Sequence, residues 1–462
     1  MSSQGDDRNI TSATGRHVAE KRPLTSVRTR QEHIAHIARK YTDSPTTTLS
    51  YHMDMLWMHE AFSRLKKESA TGVDGVTVQE YAVDLETNLA DLLERAKSGR
   101  YRPPPGKRVQ IPKNEKETRP ISISTTENKV LERAVTMLLE PIYEAEFMDC
   151  SYGFRPKRSA HQALDAIREK LMGMKGGWVL DVDLRKFFDT IPHAQLMELL
   201  RLRVKDSVVL RLIAKWLRAG VLEDGVFTIN EEGTPQGGVI SPMLSNIYLH
   251  TVLDVWFEEI VKPRLKGEAH LIRFADDFVM IFKDLVDAQR VLEVLPKRFE
   301  KFGLSIHPDK TRLVDFCHPW ASGRKPETFD FLGFTHYWGK TRKGGFSIKK
   351  KTSSTKLRRS LKEMHQWCKK HRHKALEWQF TKLCQKLQGH YAYYGVTGNY
   401  NAVAEFRHHA IHIWRHWLNR RSRKRDGMGW KRFHVLLTSK FQFLPARIVH
   451  KAIKAQQLCM NF

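Results

Sequence analysis

No stretch of this chain approaches the roughly 18 to 20 consecutive apolar residues that a membrane-spanning helix needs. Its polar start, MSSQGDDRNITSATGRHVAEKRP, lacks an apolar core of the length found in a secretory signal. Cysteine is scarce: Cys150, Cys317, Cys368, Cys384 and Cys459 are scattered without a CxxC pair, which indicates neither a zinc module nor a disulfide framework. No internal repeat is evident. These absences predict an intracellular protein of a reducing compartment, without a membrane partner, whose first 28 residues are disordered. Acid is missing where base is abundant. Residues 340–462 hold 29 Lys and Arg against 4 Asp and Glu, whereas residues 1–339 hold 49 against 47.

That asymmetry carries nearly all of the net charge of +27 and points to a polyanionic partner. Aromatics interleave with the basic residues at Trp367, Trp378, Tyr391, Tyr393, Tyr394, Trp414, Trp417 and Trp430. The densest cluster is Arg420, Arg421, Arg423, Lys424 and Arg425, a candidate nucleic-acid contact whose binding would be strongly salt dependent. The plainer reading of that run is a solvated loop after a helix carrying Trp414 and Trp417. With 462 residues, 41% of them hydrophobic, the chain can bury two or three cores.

Two adjacent aspartates, Asp276 and Asp277, separate the apolar runs HLIRFA (270–275) and FVMIF (278–282). Each run reads as a buried strand, and Asp is at home in turns, so the hairpin alone says little about chemistry. What changes its meaning is a third carboxylate. The apolar strand in Trp178–Asp189 (WVLDVDLRKFFD) ends at Asp183, with Asp181 two residues earlier on the same face. Like charges this close raise one another's pKa unless a cation offsets them, and a hard divalent ion such as Mg²⁺ is the natural partner. Three carboxylates at strand ends suit two metal ions, with Mn²⁺ as a substitute, that clamp a 3′-oxygen and a triphosphate. The chemistry implied is nucleotidyl transfer. Asp189, by contrast, precedes the helical pattern His193–Leu200 and reads as a helix start.

Other segments place these motifs. Residues 30–70 carry helical periodicity and end in the turn TGVDG, residues 76–99 read as one or two helices, and 107–123 reads as a β-hairpin around the loop 113–118. Helical spacing recurs over 125–147 and 159–172; strands and helices continue to about 316, FDFLGFT (329–335) opens a last strand region, and the pattern from about 352 is helical. Lys113 and Arg119 flank the hairpin tip and can both project toward a triphosphate. Gly233–Asn246 (GTPQGGVISPMLSN) begins as glycine-rich backbone that admits close approach of a nucleotide, carries one polar side chain at Gln236, and continues as a helix after Pro242.

The ordered set RPISIS (119–124), SYGFRPKRSAHQAL (151–164), VDLRKFFDTIPH (182–193), GTPQGGVISPMLSNIYL (233–249), RFADDFVMIF (273–282), FGLSIHPDKT (302–311) and FDFLGFTHYW (329–338) resembles a group II intron-encoded reverse transcriptase, the intron maturase family. The likeness runs from about residue 50 to about 450. It implies an α+β fold, a right-hand polymerase of fingers and an antiparallel palm followed by an all-α thumb or maturase X domain. The expected divisions are a disordered segment 1–28, an N-terminal extension 29–75, fingers 76–175, palm 176–350, thumb 351–435 and a short basic DNA-binding tail 436–462.

By the same resemblance Asp183, Asp276 and Asp277 match the metal-binding aspartates, Lys113 and Arg119 the triphosphate-binding residues of the fingers, Gln236 the glutamine of the nucleotide pocket, Phe187 the aromatic steric gate, and Lys310 the lysine that follows the catalytic hairpin. Phe188, next in line, is expected to serve folding. LQGHYAYYGVTGNY (387–400) and WRHWLNRR (414–421) are similar to the family's thumb. Two departures stand out: Phe274 replaces the usual tyrosine before Ala-Asp-Asp, and no paired-cysteine nuclease motif precedes Phe462. The second implies a protein that cannot cut the second DNA strand itself and relies on other primers. The function implied is RNA-directed DNA polymerisation in a bacterial cytoplasm or nucleoid, with group II intron RNA, template, DNA primer and dNTPs as partners, supporting splicing and intron homing. The alternatives are a splicing factor with an idle polymerase site, and a related enzyme recruited to DNA repair or phage defence.

Overall fold

The computed structural model describes residues 26–42, 44–112, 118–223, 225–229, 232–234, 236–319, 326–341, 343–421 and 428–450. Helix Val27–Lys40 starts where the Ser26 hydroxyl accepts the Thr29 N–H at 3.1 Å, a side-chain cap for one of the first unpaired amides. It and helix Met55–Ser63 lay Ile34, Ala38, Trp57 and Met58 against helix Thr126–Tyr143, most of whose residues are buried. Trp57 Nε1 donates to the Ala134 carbonyl at 2.9 Å, and Gln31 Nε2 to that of Met137 at 2.9 Å. The N-terminal helices therefore share one core with the fingers and palm.

Strands β1 (Gly106–Pro112) and β2 (Thr118–Ile123) form the expected antiparallel hairpin, with Val109 opposite Ile121. β3 (Trp178–Val182) follows, then a short hairpin, β4 (Val221–Glu223) and β5 (Val226–Thr228), which extends the fingers sheet in the order β2-β1-β4-β5. β6 (Ala269–Phe274), β7 (Asp277–Phe282) and β8 (Arg312–Asp315) join β3 in the palm sheet, order β6-β7-β3-β8, every neighbouring pair antiparallel. After Asp277, β7 reads as an unbroken apolar run because both faces of the sheet are covered. Along β7, Phe278, Met280 and Phe282 enter the core shared with the fingers, while Val279 and Ile281 enter a second core with Ala163, Leu164 and Ile167 of helix Ala160–Gly173.

A third sheet, β9 (Phe329–Phe331), β10 (Phe334–Lys340) and β11 (Phe346–Thr352), has the order β11-β10-β9. It is tied to the palm by Lys350 Nζ on Asp165 at 2.7 Å. Helices Ser354–His371, Leu376–Tyr394, Tyr400–Leu418 and Trp430–Ser439 close a separate core around Trp414, whose Nε1 donates to Gln379 Oε1 at 3.0 Å. Helix Trp430–Ser439 runs through the expected boundary at 435, and Phe441 and Phe443 return to the same core, so the start of the expected tail packs with the thumb. The chain then comes back to the palm, where His450 stacks on His161 with ring centroids 3.7 Å apart. Among the described residues no helix is long and apolar enough to cross a membrane.

Candidate active site

Phe274 pairs with Asp277, which leaves Ala275 and Asp276 as a two-residue turn between β6 and β7. Val182 stands opposite Phe278, so Asp183, one residue beyond β3, comes level with Asp277. Pairing register thus delivers all three expected carboxylates to one end of the palm sheet.

Their electrostatics bear out that crowding. Asp277 is pushed up to about 7, first by desolvation and then by the charges of Asp276, Asp183 and Asp181. Asp277 is still exposed on one side, while protein on its other sides strips away much of its hydration. Asp276 is also raised, chiefly by burial, with its own backbone N–H and the charge of Arg119 pulling the other way. Arg119 stands on β2 opposite Ile111, so a cation of the fingers already acts on a palm carboxylate. Asp181 is raised to about 6 by burial, with Arg312 Nε at 3.6 Å as partial compensation.

Lys310 lies beside the site, its Nζ 3.4 Å from Asp183 Oδ2. The segment that carries it is pinned to the strand end: the His307 N–H donates to the Asp183 carbonyl at 2.7 Å and the Arg185 N–H to that of Ser305 at 2.8 Å. Gln236 is half-buried, and its Oε1 has no hydrogen-bond partner, which leaves a buried acceptor available to a ligand. The Gln236 carbonyl accepts the Ser122 N–H at 2.6 Å, and Gly237, at φ +107°, sits where a Cβ would come within 2.6 Å of the Ser122 carbonyl oxygen. Only glycine lets this loop lie flat on the fingers hairpin.

Burial separates the two rings of the Phe187-Phe188 pair. Phe187 is 2% exposed and belongs to the central core, whereas Phe188 is only partly buried against it; the rings meet edge to face at 5.3 Å. The expectation that Phe187 is the sugar gate and Phe188 the folding ring is corrected here: the core holds Phe187, which leaves Phe188 as the ring that can meet a sugar. The turn through Lys186, at φ +46°, rotates Phe187 rather than its neighbour inward. Asp189 is corrected too: helix His193–Arg203 begins after Pro192 without a side-chain cap, and the Asp189 carboxylate lies instead within reach of the charges of Arg108, Lys186 and Arg119. Of the basic cluster, Arg420 sits over the Trp417 ring at 5.7 Å and Arg421 Nη2 donates to the Lys374 carbonyl at 3.2 Å. Arg423, Lys424, Arg425 and Lys113 lie outside the described residues.

One residue that matters here escaped the sequence reading. Glu132 is buried in helix Thr126–Tyr143, and its carboxylate accepts the backbone N–H groups of Val239 and Ile240, the Ser124 hydroxyl at 3.1 Å and Asn128 Nδ2 at 2.7 Å. It holds the end of the Gln236 loop. The available signal was a lone acid on the apolar stripe of a helix.

Among the described residues no three His, Cys, Asp or Glu side chains converge closely enough to hold a metal ion, so the carboxylates share a sheet end without forming a ready cage. The donors nonetheless fit a hard divalent cation: all are carboxylate oxygens, and Asp277 is held near 7 by burial first and then by the negative charge of its neighbours.

An antiparallel palm with paired carboxylates in a hairpin beside a third on the next strand, facing a fingers hairpin, defines the class of nucleic-acid polymerases. The family model for reverse transcriptase (RNA-dependent DNA polymerase) matches residues 111–336. Protein YkfC of Escherichia coli (strain K12) is 37% identical over 259 residues, covering 49% of this chain and 68% of that protein. The group II intron-encoded protein LtrA of Lactococcus lactis subsp. cremoris is 42% identical over 166 residues, 36% of this chain and 27% of LtrA. The mitochondrial nuclear intron maturase 2 of Arabidopsis thaliana is 30% identical over 174 residues, 29% of this chain and 24% of its own length. The chain belongs to the reverse transcriptase family, and within it to the group II intron-encoded reverse transcriptases and maturases. It spans about a quarter of the length of LtrA and of that maturase. Members of this family generally use divalent metal ions.

Proposed function

We propose that this protein copies RNA into DNA at the Asp183, Asp276 and Asp277 site and also binds group II intron RNA, assisting its splicing and supporting its homing by target-primed reverse transcription. The observation that carries the reading is the meeting of three carboxylates at one palm-sheet end, with Asp277 raised to about 7 by burial and then by the others. Two Mg²⁺ ions, or Mn²⁺ in their place, held by these aspartates would supply Lewis acidity at the primer 3′-hydroxyl and at the leaving pyrophosphate. Arg119, with Lys113, draws the triphosphate from the fingers side. Gln236 offers its unpaired oxygen to the incoming nucleotide or its template partner, Phe188, the ring of the pair left outside the core, walls off the 2′ side of the sugar, and Lys310 exchanges Asp183 for phosphate when substrate arrives. The thumb, with Arg420 and Arg421 on one helix end and Arg423, Lys424 and Arg425 beyond it, grips the nucleic-acid backbone. The setting is the bacterial cytoplasm or nucleoid.

Purified protein is expected to extend a DNA primer on an RNA template with Mg²⁺, and to accelerate splicing of its intron RNA in a parallel assay. Splicing without extension would establish the idle-site alternative. Extension without splicing of any intron RNA flanking the reading frame would favour recruitment to repair or phage defence.

A further inference from the structure

Beneath the catalytic turn lies a buried ion pair that the chemistry above does not use. Arg273, three residues before Asp276, and Asp254 are both fully buried. The guanidinium donates to Asp254 through Nε at 2.7 Å and Nη2 at 2.5 Å, a two-pronged contact, while Nη1 donates to Asn246 Oδ1 at 2.9 Å and to the Ala275 carbonyl at 3.1 Å. Ala275 is the first turn residue, and its φ of +58° lies in the left-handed region that is strained for a residue with a Cβ. From the other side Gly153 presses on the turn so closely that a Cβ there would come within 2.3 Å of the Ala275 nitrogen. Asn246 Nδ2 donates to the Gly153 carbonyl at 2.7 Å and closes the bracket.

Asn246 and Asp254 lie on one continuous helical stretch. Helix Ser241–Leu249 begins directly after the Gln236 loop and passes into an i→i+5 helix, His250–Val261, that carries Asp254. Such wide turns inside helices concentrate at functional sites, and here the wide turn brings Asp254 onto the guanidinium. The same stretch therefore touches the nucleotide loop at one end and the catalytic turn, through Arg273, along its side.

We propose that Arg273 is a positioning residue: held by Asp254 and Asn246, it fixes the left-handed Ala275 through that residue's carbonyl, aims Asp276, and makes the catalytic turn follow the helix that carries the Gln236 loop. This rests on the polymerase reading of the three aspartates but asks a separate question. A buried pair that served only folding would leave the turn's own dynamics and metal affinity untouched in any variant that still folds.

The test uses Arg273→Lys, which keeps the charge and loses the forked geometry. In metal-free protein, amide exchange of the 274–278 peptide is expected to quicken about tenfold or more while β3 and β8 keep wild-type protection. Mn²⁺ affinity measured by electron paramagnetic resonance is expected to fall about tenfold, and kcat to fall further than KM for dNTP rises. A folded variant with wild-type exchange at 274–278 and wild-type Mn²⁺ affinity overturns the proposal. If Arg273→Lys does not fold, Asn246→Ser, which withdraws the acceptor from the same Nη1 without removing charge, decides on the same two readings. Wild-type protein that neither bound Mn²⁺ nor extended a primer would defeat the polymerase reading instead, and the metal-free exchange would still decide whether Arg273 braces the turn.

Discussion

Replacing Asp277 by Asn removes a charge that the metal-free fold holds at a cost. Its pKa of about 7 in the folded protein lies well above the usual carboxylate value of 3.8. Between those two values the folded state therefore keeps a proton that the unfolded chain has released, and stability falls as pH rises through that window. Without divalent ions Asp277→Asn is expected to melt a few degrees above wild type at pH 8, with the gap closing by pH 4; a gap that widened on acidification would contradict the assignment. Added Mn²⁺ should raise the melting temperature of wild type and leave that of the variant nearly unmoved, since only a folded site that binds the ion gains from it.

The Phe187-Phe188 pair gives the second residue-scale test. Truncation of a core ring to Ala costs about 3–5 kcal/mol, so Phe187→Val is the more readable control. Discrimination between dNTP and rNTP, taken as a ratio of kcat/KM, is expected to drop about tenfold or more with Phe188→Ala and to hold with Phe187→Val, which should lower the melting temperature instead. The reverse result would move the sugar gate to the buried ring.

At the scale of elements, Glu132 links helix Thr126–Tyr143, the end of the fingers hairpin and the loop bearing Gln236. Glu132→Gln keeps the volume but gives up one of the acceptor oxygens, leaving buried donors unsatisfied at about 1–3 kcal/mol. KM for dNTP is expected to rise severalfold while Mn²⁺ affinity stays at the wild-type level, because the palm strands are not involved; unchanged KM in a destabilised variant would make Glu132 purely structural. This network also marks where sequence reading ends. β1, β2, β6 and β7 were legible because alternation, turn chemistry and apolar runs are local signals, and helix Ser241–Leu249 was legible from Pro242. The convergence of Ser124, Glu132 and Val239 was not, because it depends on packing among segments about a hundred residues apart. Asp189 was misread for the same reason. Its cation partners, Arg108 and Arg119, come from another sheet.

For the whole molecule, the charge asymmetry is the organising fact. A front portion near neutrality carries the three aspartates, and the portion after residue 339, strand β11 and the thumb helices, carries the excess base. Neutralising Arg420, Arg421, Arg423, Lys424 and Arg425 together is expected to weaken binding to intron RNA and to flatten its salt dependence by about 0.7 to 0.9 in log–log slope for each phosphate that is no longer neutralised. Extension on a short unstructured template should change little. An unchanged slope would assign the run to solvent and move the RNA-binding surface elsewhere, with Lys349–Lys351 and Lys356–Arg359 next in line.

The most direct measurement of the central claim is single-nucleotide incorporation on an RNA template by Asp183→Asn and Asp276→Asn, with RNA affinity followed in the same samples. Loss of several kcal/mol of transition-state stabilisation should slow each variant about a thousandfold or more in Mg²⁺ and in Mn²⁺, with RNA affinity within a few fold of wild type. Incorporation at the wild-type rate by either variant would contradict the assignment of these carboxylates as the site of nucleotidyl transfer.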